Sequence, residues 1–313
     1  MKIVEEVKQL DAKIPRGIAL GNFDGLHIGH QALIRLLVNK SNEYQLESCV
    51  YTFKNHTISL ISSGDTPPQI TNQMMKIQLM EELELETLVL AEFNQDIMGL
   101  SPEDFVKNIL VNGLNCKVAV VGFDYRFGSK AKGDATILKE LGKKYGFEVY
   151  VIDPVTVDRQ KVSSTGVRTF VDEGDMEKAR EFLGRFFAIK NQVVHGKGRG
   201  KKLGYPTANI YVDPQQLIPR EGVYATLVKF AGRTHMGATC IGTTPTFDGK
   251  ETTIETFILD YDGELYDEDM EIQFVTRLRS NVKFNGIEAL VQQITKDVEI
   301  SKKHLQPYLD MLK

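Results

Sequence analysis

Tryptophan is absent from the 313 residues, and cysteine occurs only three times, at Cys49, Cys116 and Cys240. An odd number of widely spaced cysteines without a C-x-x-C pair excludes a disulfide framework and a CxxC zinc site, and it fits a reducing cytoplasm. Long apolar runs are also missing. Val118-Ala119-Val120-Val121 is typical of the longest, whereas a membrane-spanning helix needs about 18 or more consecutive apolar residues. The opening Met1-Lys2-Ile3-Val4-Glu5-Glu6 lacks the apolar core and small-residue cleavage site of a secretory signal. Neither sign of charge dominates: 38 Lys and Arg face 42 Asp and Glu, a net charge of −4. That balance argues against a general nucleic-acid binder, which needs basic surface and counterion release. No repeat, low-complexity tract or Ser/Gly/Pro linker run is visible.

What is present is an ordinary soluble composition, 42% hydrophobic and 26% charged, in a chain longer than one core usually requires. Two domains are expected. In the first half, strand-like segments (17–23, 48–53, 85–93, 117–123, 147–152) alternate with helical ones. One helix carries Leu33, Leu36 and Leu37 on a face. Another is opened by Ser101, Pro102 and Asp104, with Leu100 and Phe105 spaced as a staple, and a third spans about 135–145. Such repeated βα units with buried strands predict a doubly wound, Rossmann-like parallel sheet, whose ligands bind beyond the carboxyl ends of the strands. After a short amphipathic helix around 175–187 the pattern changes to strands separated by Gly, Pro and Asp turns. This predicts a small β-barrel, followed by a terminal helix that starts near Asn285 with Glu288 in a capping box and presents Ile287, Leu290, Val291, Ile294 and Val298. The expected domains are 1–184 and 185–313.

Two segments carry chemistry. In the first, Gly21-Asn22-Phe23-Asp24-Gly25-Leu26-His27-Ile28-Gly29-His30 sits where a strand hands over to a helix. Glycines let backbone N–H groups approach an anion, the helix N-terminus adds its dipole, and two histidines three apart can donate to phosphate oxygens. The plainer reading is a glycine turn with two solvent-facing histidines. Ser164, Thr165 and Arg168 offer two hydroxyls and a guanidinium, either to phosphate or simply as a helix cap with an exposed arginine.

The string G-x-F-D-G-x-H-x-G-H resembles the nucleotidyltransferase module of bacterial bifunctional riboflavin kinase/FAD synthetases. Val121-Gly122-Phe123-Asp124-Tyr125-Arg126-Phe127-Gly128, Ser163-Ser164-Thr165-Gly166-Val167-Arg168 and Leu100-Ser101-Pro102-Glu103-Asp104-Phe105 are similar to further segments of that module. Thr52-Phe53-Lys54-Asn55-His56-Thr57 departs from the usual T-F-x-P-H-P by both prolines, keeping His56. The resemblance implies adenylyl transfer from ATP to FMN. Gly21, Phe23, Asp24, Gly25, His27 and His30 would hold the triphosphate, with His27 and His30 catalytic. Ser164, Thr165 and Arg168 would stabilise the departing pyrophosphate. His56, Asp124 and Arg126 would line the flavin pocket.

The second segment is a basic loop with alternating glycines, Gly196-Lys197-Gly198-Arg199-Gly200, followed by Leu203-Gly204-Tyr205-Pro206-Thr207-Ala208-Asn209. It is not a Walker A loop. Alone it reads as a flexible basic turn, but Thr207 and Asn209, two apart on an extended strand, point the same way and offer hard oxygens suited to Mg²⁺. This half resembles the riboflavin kinase module through G-x-G-R-G, L-G-[FY]-P-T-A-N, Gly222-Val223-Tyr224-Ala225, the stretch from Ile241 to Phe247, and Leu278-Arg279 with Lys283-Phe284. The resemblance implies that Gly198, Arg199, Gly200, Thr207 and Asn209 bind ATP phosphates, Thr207 and Asn209 also holding Mg²⁺. It gives Arg279 and Phe284 to the flavin, and makes Glu255 the general base, which its position alone would leave as an exposed strand carboxylate. Phe257 replaces the family's usual histidine, and Cys240 stands where asparagine is common.

The implied enzyme is cytoplasmic. It uses ATP and Mg²⁺ to convert riboflavin to FMN and FMN to FAD, with these small molecules as its partners and no nucleic acid or membrane. A homo-oligomer is compatible with the sequence. Two rivals have other signatures. A class I aminoacyl-tRNA synthetase would share H-I-G-H but add a K-M-S-K-S-like loop and a basic anticodon-binding region. A non-catalytic flavin-binding protein would show degenerate motifs.

Overall fold

The structure, a computed structural model, describes residues 1–54, 66–196, 198–246 and 249–311. The chain forms two compact units, one of Met1–Pro68 and Gln73–Ser163, the other of Gln69–Asn72 and Ser164–Lys313.

The first unit is built on a six-stranded sheet of β1 (Lys2–Val4), β2 (Arg16–Leu20), β3 (Glu47–Phe53), β4 (Thr87–Ala91), β5 (Cys116–Gly122) and β6 (Glu148–Ile152), in the order β1-β4-β3-β2-β5-β6. Every neighbouring pair is parallel. Its helices are α1 (Ile28–Tyr44), α2 (Gln73–Glu81), α3 (Gln95–Gly99), α4 (Pro102–Asp104, running on as π-helical turns Phe105–Gly113) and α5 (Ala135–Tyr145). The strands are apolar on both faces because both faces are covered. Ile18, Leu20, Cys49, Tyr51 and Val121 share a core with Phe105, Val106 and Leu138, while Ala19, Val50, Leu88 and Val120 pack on Leu33, Ile34 and Leu37 of α1. Ser101 caps α4 as its sequence predicts: it accepts from the Asp104 N–H at 3.1 Å, and Pro102 occupies the first turn. Strand β1, helix α2 and a small hairpin of β7 (Thr156–Val157) and β8 (Gln160–Lys161) carry no period strong enough to be read from the sequence.

The order of the strands fixes where a ligand goes. From β2 the chain winds outward through β3 and β4 on one side, then returns to β5 and β6 on the other. The switch point lies between the carboxyl ends of β2 and β5, where such sheets open a crevice. The two loops leaving these ends are Gly21–His27 and Phe123–Phe127.

In the second unit, helices α6 (Ser164–Glu173) and α7 (Met176–Leu183) precede a closed antiparallel barrel of β9 (Phe187–Val194), β10 (Thr207–Ile210), β11 (Gly222–Phe230), β12 (Arg233–Thr246), β13 (Gly249–Ile258) and β14 (Asp269–Arg279). A four-residue helix, α8 (Arg199–Lys202), interrupts what reads as an all-β stretch. Inside the barrel, Thr226, Thr239 and Thr256 are fully buried and satisfied by one another, with hydroxyl separations of 2.8 and 2.9 Å. The segment Gln69–Asn72 is stitched to this unit: the Gln69 N–H donates to the Gln215 carbonyl at 2.6 Å, and the Gln69 carbonyl accepts from the Leu217 N–H at 2.8 Å.

The terminal helix α9 (Ile287–Asp310) differs from the sequence expectation at its start and in its buried face. Gly286, not Asn285, is the cap residue, without a side-chain cap bond. Ile287 is 67% exposed, and the buried positions are Asp297, Ser301 and Leu305. Asp297 accepts from Arg279 at the end of β14 (Nη2–Oδ2 2.6 Å, Nε at 3.0 Å from both oxygens) and from the Gln293 amide at 2.8 Å. Breaking a buried pair strands the remaining charge. Since Arg279 still reaches water, Asp297→Ala is expected to cost about 2–3 kcal/mol. Chemical denaturation against Asp297→Asn checks this, because the amide keeps two of the contacts and should lose less.

Two candidate active sites

The first site is the turn from β2 into α1. His27 is its N-cap, and the imidazole Nδ1 accepts from the His30 N–H at 3.2 Å. With Nδ1 an acceptor, the neutral ring carries its proton on Nε2, which leaves that nitrogen as a donor. The rings of His27 and His30 stack at 3.6 Å, and Phe23 meets His30 edge-on at 5.3 Å. A Cβ on Gly29, between the histidines, would sit 3.2 Å from the His27 ring, a tight approach. Asp24 and His27 are buried. Phe23 (φ 49°), Gly25 (φ 81°) and Leu26 (φ 36°) take left-handed backbone. For the two non-glycine residues this costs on the order of 1 kcal/mol or more each, strain of the kind stored at functional sites.

Across the switch point, the β5 loop holds Asp124 and Arg126, both exposed. Asp124 pairs with Lys161 of β8 at 2.8 Å, and that ammonium also lies 4.1 Å from the exposed Phe123 ring. Arg126 faces Asp134 at 3.6 Å, so the two expected pocket residues are each partnered elsewhere rather than with one another. Ser164, Thr165 and Arg168 lie in the first turns of α6, in the second compact unit, with Ser164 and Arg168 four apart on one face. His56 lies outside the described residues.

The second site is one rung of the barrel. Asn209 of β10 pairs with Glu255 of β13, Glu255 with Cys240 of β12, Cys240 with Val223 of β11, and Val223 with Arg279 of β14. Antiparallel partners project to the same face, so Asn209, Glu255 and Arg279, far apart in sequence, share a level. The Thr207 hydroxyl donates to Glu255 Oε2 at 3.4 Å. Thr207, Asn209 and Glu255 thus form a half-buried all-oxygen set from two paired strands. Hydroxyl, amide carbonyl and carboxylate are donors suited to Mg²⁺. Gly198 (φ 63°) caps α8, which contains Arg199 and Gly200. This helix is closed by Tyr205, whose N–H donates to the Gly200 carbonyl at 3.0 Å, and the Tyr205 hydroxyl reaches Thr295 of α9 at 2.7 Å. Tyr205 also meets Phe257 edge-on at 5.2 Å, so the residue that replaces the family's histidine serves as packing for the loop. Phe284 lies 5.9 Å from the Arg279 guanidinium. With three of its N–H groups spent on Asp297 and the Ser280 carbonyl, Arg279 acts first as a clamp on α9.

Cys240 adds a probe. Part of it is exposed, yet the surrounding protein and then the Glu255 charge push its thiol up to about 11. The thiolate is the reactive form. Iodoacetamide labelling, followed by mass spectrometry, should therefore be slow at pH 7.5 and rise towards pH 11. Glu255→Gln should shift that rise to lower pH.

Sequence reasoning passed over Lys76, Lys161, Tyr205 and Asp297. Two of them left a signal: Tyr205 stands inside L-G-[FY]-P-T-A-N, and Asp297 is a carboxylate set three residues from Ile294 and seven from Leu290 within the apolar stripe of α9.

Comparison with known proteins agrees with this division. A family model described as FAD synthetase matches residues 11–166, and one described as riboflavin kinase matches 183–305. A bifunctional riboflavin kinase/FMN adenylyltransferase of Listeria monocytogenes is 38% identical, covering 91% of this chain and 90% of its own. The protein of the same description from Bacillus subtilis is 35% identical over 90% and 89%. A crystal structure described as a macrolide-efflux protein from Streptococcus pneumoniae superposes with a TM-score of 0.87 at 30% identity, covering 96% of this chain and 98% of that one. Among the described residues no helix is long and apolar enough to cross a membrane. With both catalytic modules matched in order along one polypeptide, the chain belongs to the family of bifunctional riboflavin kinase/FMN adenylyltransferases.

Proposed function

We propose that the histidine turn at the sheet's switch point carries adenylyl transfer and the Asn209–Glu255 rung carries riboflavin phosphorylation. The observation that supports this most is their distribution. The FAD synthetase match contains the whole Gly21–His30 turn, and the riboflavin kinase match contains Thr207, Asn209 and Glu255. By sequence segment, the two activities divide at 184/185.

In the first reaction the riboflavin 5′-hydroxyl is a poor nucleophile at neutral pH, so Glu255 accepts its proton as the γ-phosphoryl is transferred and ADP leaves. Thr207 and Asn209 orient the phosphates and would hold Mg²⁺, which supplies charge neutralisation when bound. The Gly198–Gly200 loop offers backbone donors to the same phosphates. In the second reaction the FMN phosphate, already an anion, attacks the α-phosphorus of a second ATP and pyrophosphate departs. No base is required, and positioning with charge stabilisation suffices. His27 and His30 donate to the triphosphate, while Ser164, Thr165 and Arg168 receive the pyrophosphate. The flavin lies against His56, Asp124 and Arg126 in one site and Arg279 and Phe284 in the other. The partners are riboflavin, FMN and ATP, with neither nucleic acid nor membrane involved; assembly as a homo-oligomer is compatible with this scheme. The cytoplasm supplies the reducing conditions that three free cysteines suit.

Incubating the pure protein with riboflavin, ATP and Mg²⁺ and separating the products by chromatography tests the reading. FMN and FAD should both appear. Unchanged riboflavin, as expected of a non-catalytic flavin binder, would overturn it.

A further inference from the structure

The turn that carries the histidines begins at Asn22, and its carbonyl is held by two donors from other elements. The Thr52 hydroxyl, fully buried on β3, donates to it at 3.2 Å, and the Lys76 ammonium, reaching from α2, donates at 3.1 Å. Thr52 and Lys76 stand 30 and 54 residues away in sequence. The residues directly after this anchor are the left-handed Phe23, Gly25 and Leu26, followed by His27. A strained turn keeps its shape only when its surroundings over-determine it, and an N–H donor that carries full charge makes a stronger hydrogen bond than a neutral one.

We propose that Lys76 is a positioning residue of the first site: together with Thr52 it fixes the Asn22 carbonyl and so holds the Phe23–Leu26 turn in the geometry that adenylyl transfer requires. The side chain is half-buried. Burial pushes its ammonium below the ordinary lysine range, and the Asp24 carboxylate partly opposes that shift. A positive charge there also favours the polyanion that the turn is built to receive. The inference rests on adenylyl transfer occurring at this turn, so FAD synthesis by the unaltered protein is measured beside every variant. Failure of that control counts against the site, and success isolates the role of Lys76.

The test uses Lys76→Met, Lys76→Arg, Thr52→Val and the Met/Val double variant in the full chain. Lys76→Met should lower kcat for FAD formation about 10- to 100-fold, as expected for a small misplacement of reacting groups, with a smaller change in KM for ATP. Lys76→Arg should recover most of that loss. Thr52→Val, close to isosteric, should show a loss of the same kind. The double variant should lose less than the product of the two single losses, because both donors serve one carbonyl. Riboflavin phosphorylation should stay within about twofold throughout, which certifies folding of the barrel unit. FAD synthesis within about twofold of the unaltered protein in Lys76→Met or in Thr52→Val would overturn the proposal. So would fully multiplicative losses in the double variant, or losses that merely follow the folded fraction in a thermal melt.

Discussion

Replacing His30 by alanine is expected to abolish FAD formation from FMN and ATP while FMN formation from riboflavin continues at its normal rate. The imidazole is held between the His27 ring at 3.6 Å and the edge of Phe23 at 5.3 Å, so it is already oriented before substrate binds. Removing one preorganised donor from a site of developing negative charge typically costs about 10²–10³ in kcat. The backbone N–H that caps on His27 survives the substitution, so α1 should keep its start. His27→Ala is the harsher change, since it removes a cap worth about 1 kcal/mol as well as a ring. Both products can be followed in one reaction by chromatography. Loss of FMN formation in a folded His30→Ala protein would show that one site serves both steps, and robust FAD synthesis would leave His30 without a role in the reaction.

The complementary result is expected at Glu255. With glutamine there, riboflavin phosphorylation should fall by about 10²–10⁴, the usual contribution of a positioned general base, while FAD should form normally when FMN is supplied. Glutamine preserves the shape of the side chain and an acceptor oxygen for Thr207, which stands 3.4 Å away, so the loss isolates proton acceptance from packing. A variant that phosphorylates riboflavin at the normal rate would leave Glu255 as a strand carboxylate without a catalytic role.

Much of this was legible from residues alone, and the reasons differ by element. Helix α5 is signalled at both ends. Asp134 accepts from the Ile137 N–H at 2.9 Å, and Gly146 closes the helix in left-handed conformation. The buried strands announce themselves because a parallel sheet covered on both faces tolerates only apolar runs such as Val118–Val121. The first site is local: ten consecutive residues bring the glycines and both histidines together, so the motif needed no tertiary information. The second site is not. Asn209 is paired with Glu255, and Arg279 shares their rung, only because of barrel register; spacing pointed to Thr207 and Asn209, but only the family resemblance pointed to Glu255 and Arg279. Lys76 and Asp297 were overlooked for a related reason. A lysine reaching a carbonyl 54 positions away and a carboxylate turned inward on an amphipathic helix both depend on what folds against them. The start of α9 was misplaced by one residue because Asn285 is a better cap chemically than Gly286, and the backbone did not use it.

The short stretch Gln69–Asn72 has a consequence for how this polypeptide can be taken apart. Because it groups with the barrel while its flanks group with the sheet, and because α6 and α7 also side with the barrel, the backbone changes allegiance after Pro68, after Asn72 and again after Ser163. No single scission follows the boundaries of the two compact units. A fragment ending at residue 184 would carry away two helices that group with the barrel and whose Val167, Val171, Phe182 and Leu183 are buried. The two compact units are thus interleaved in covalent order.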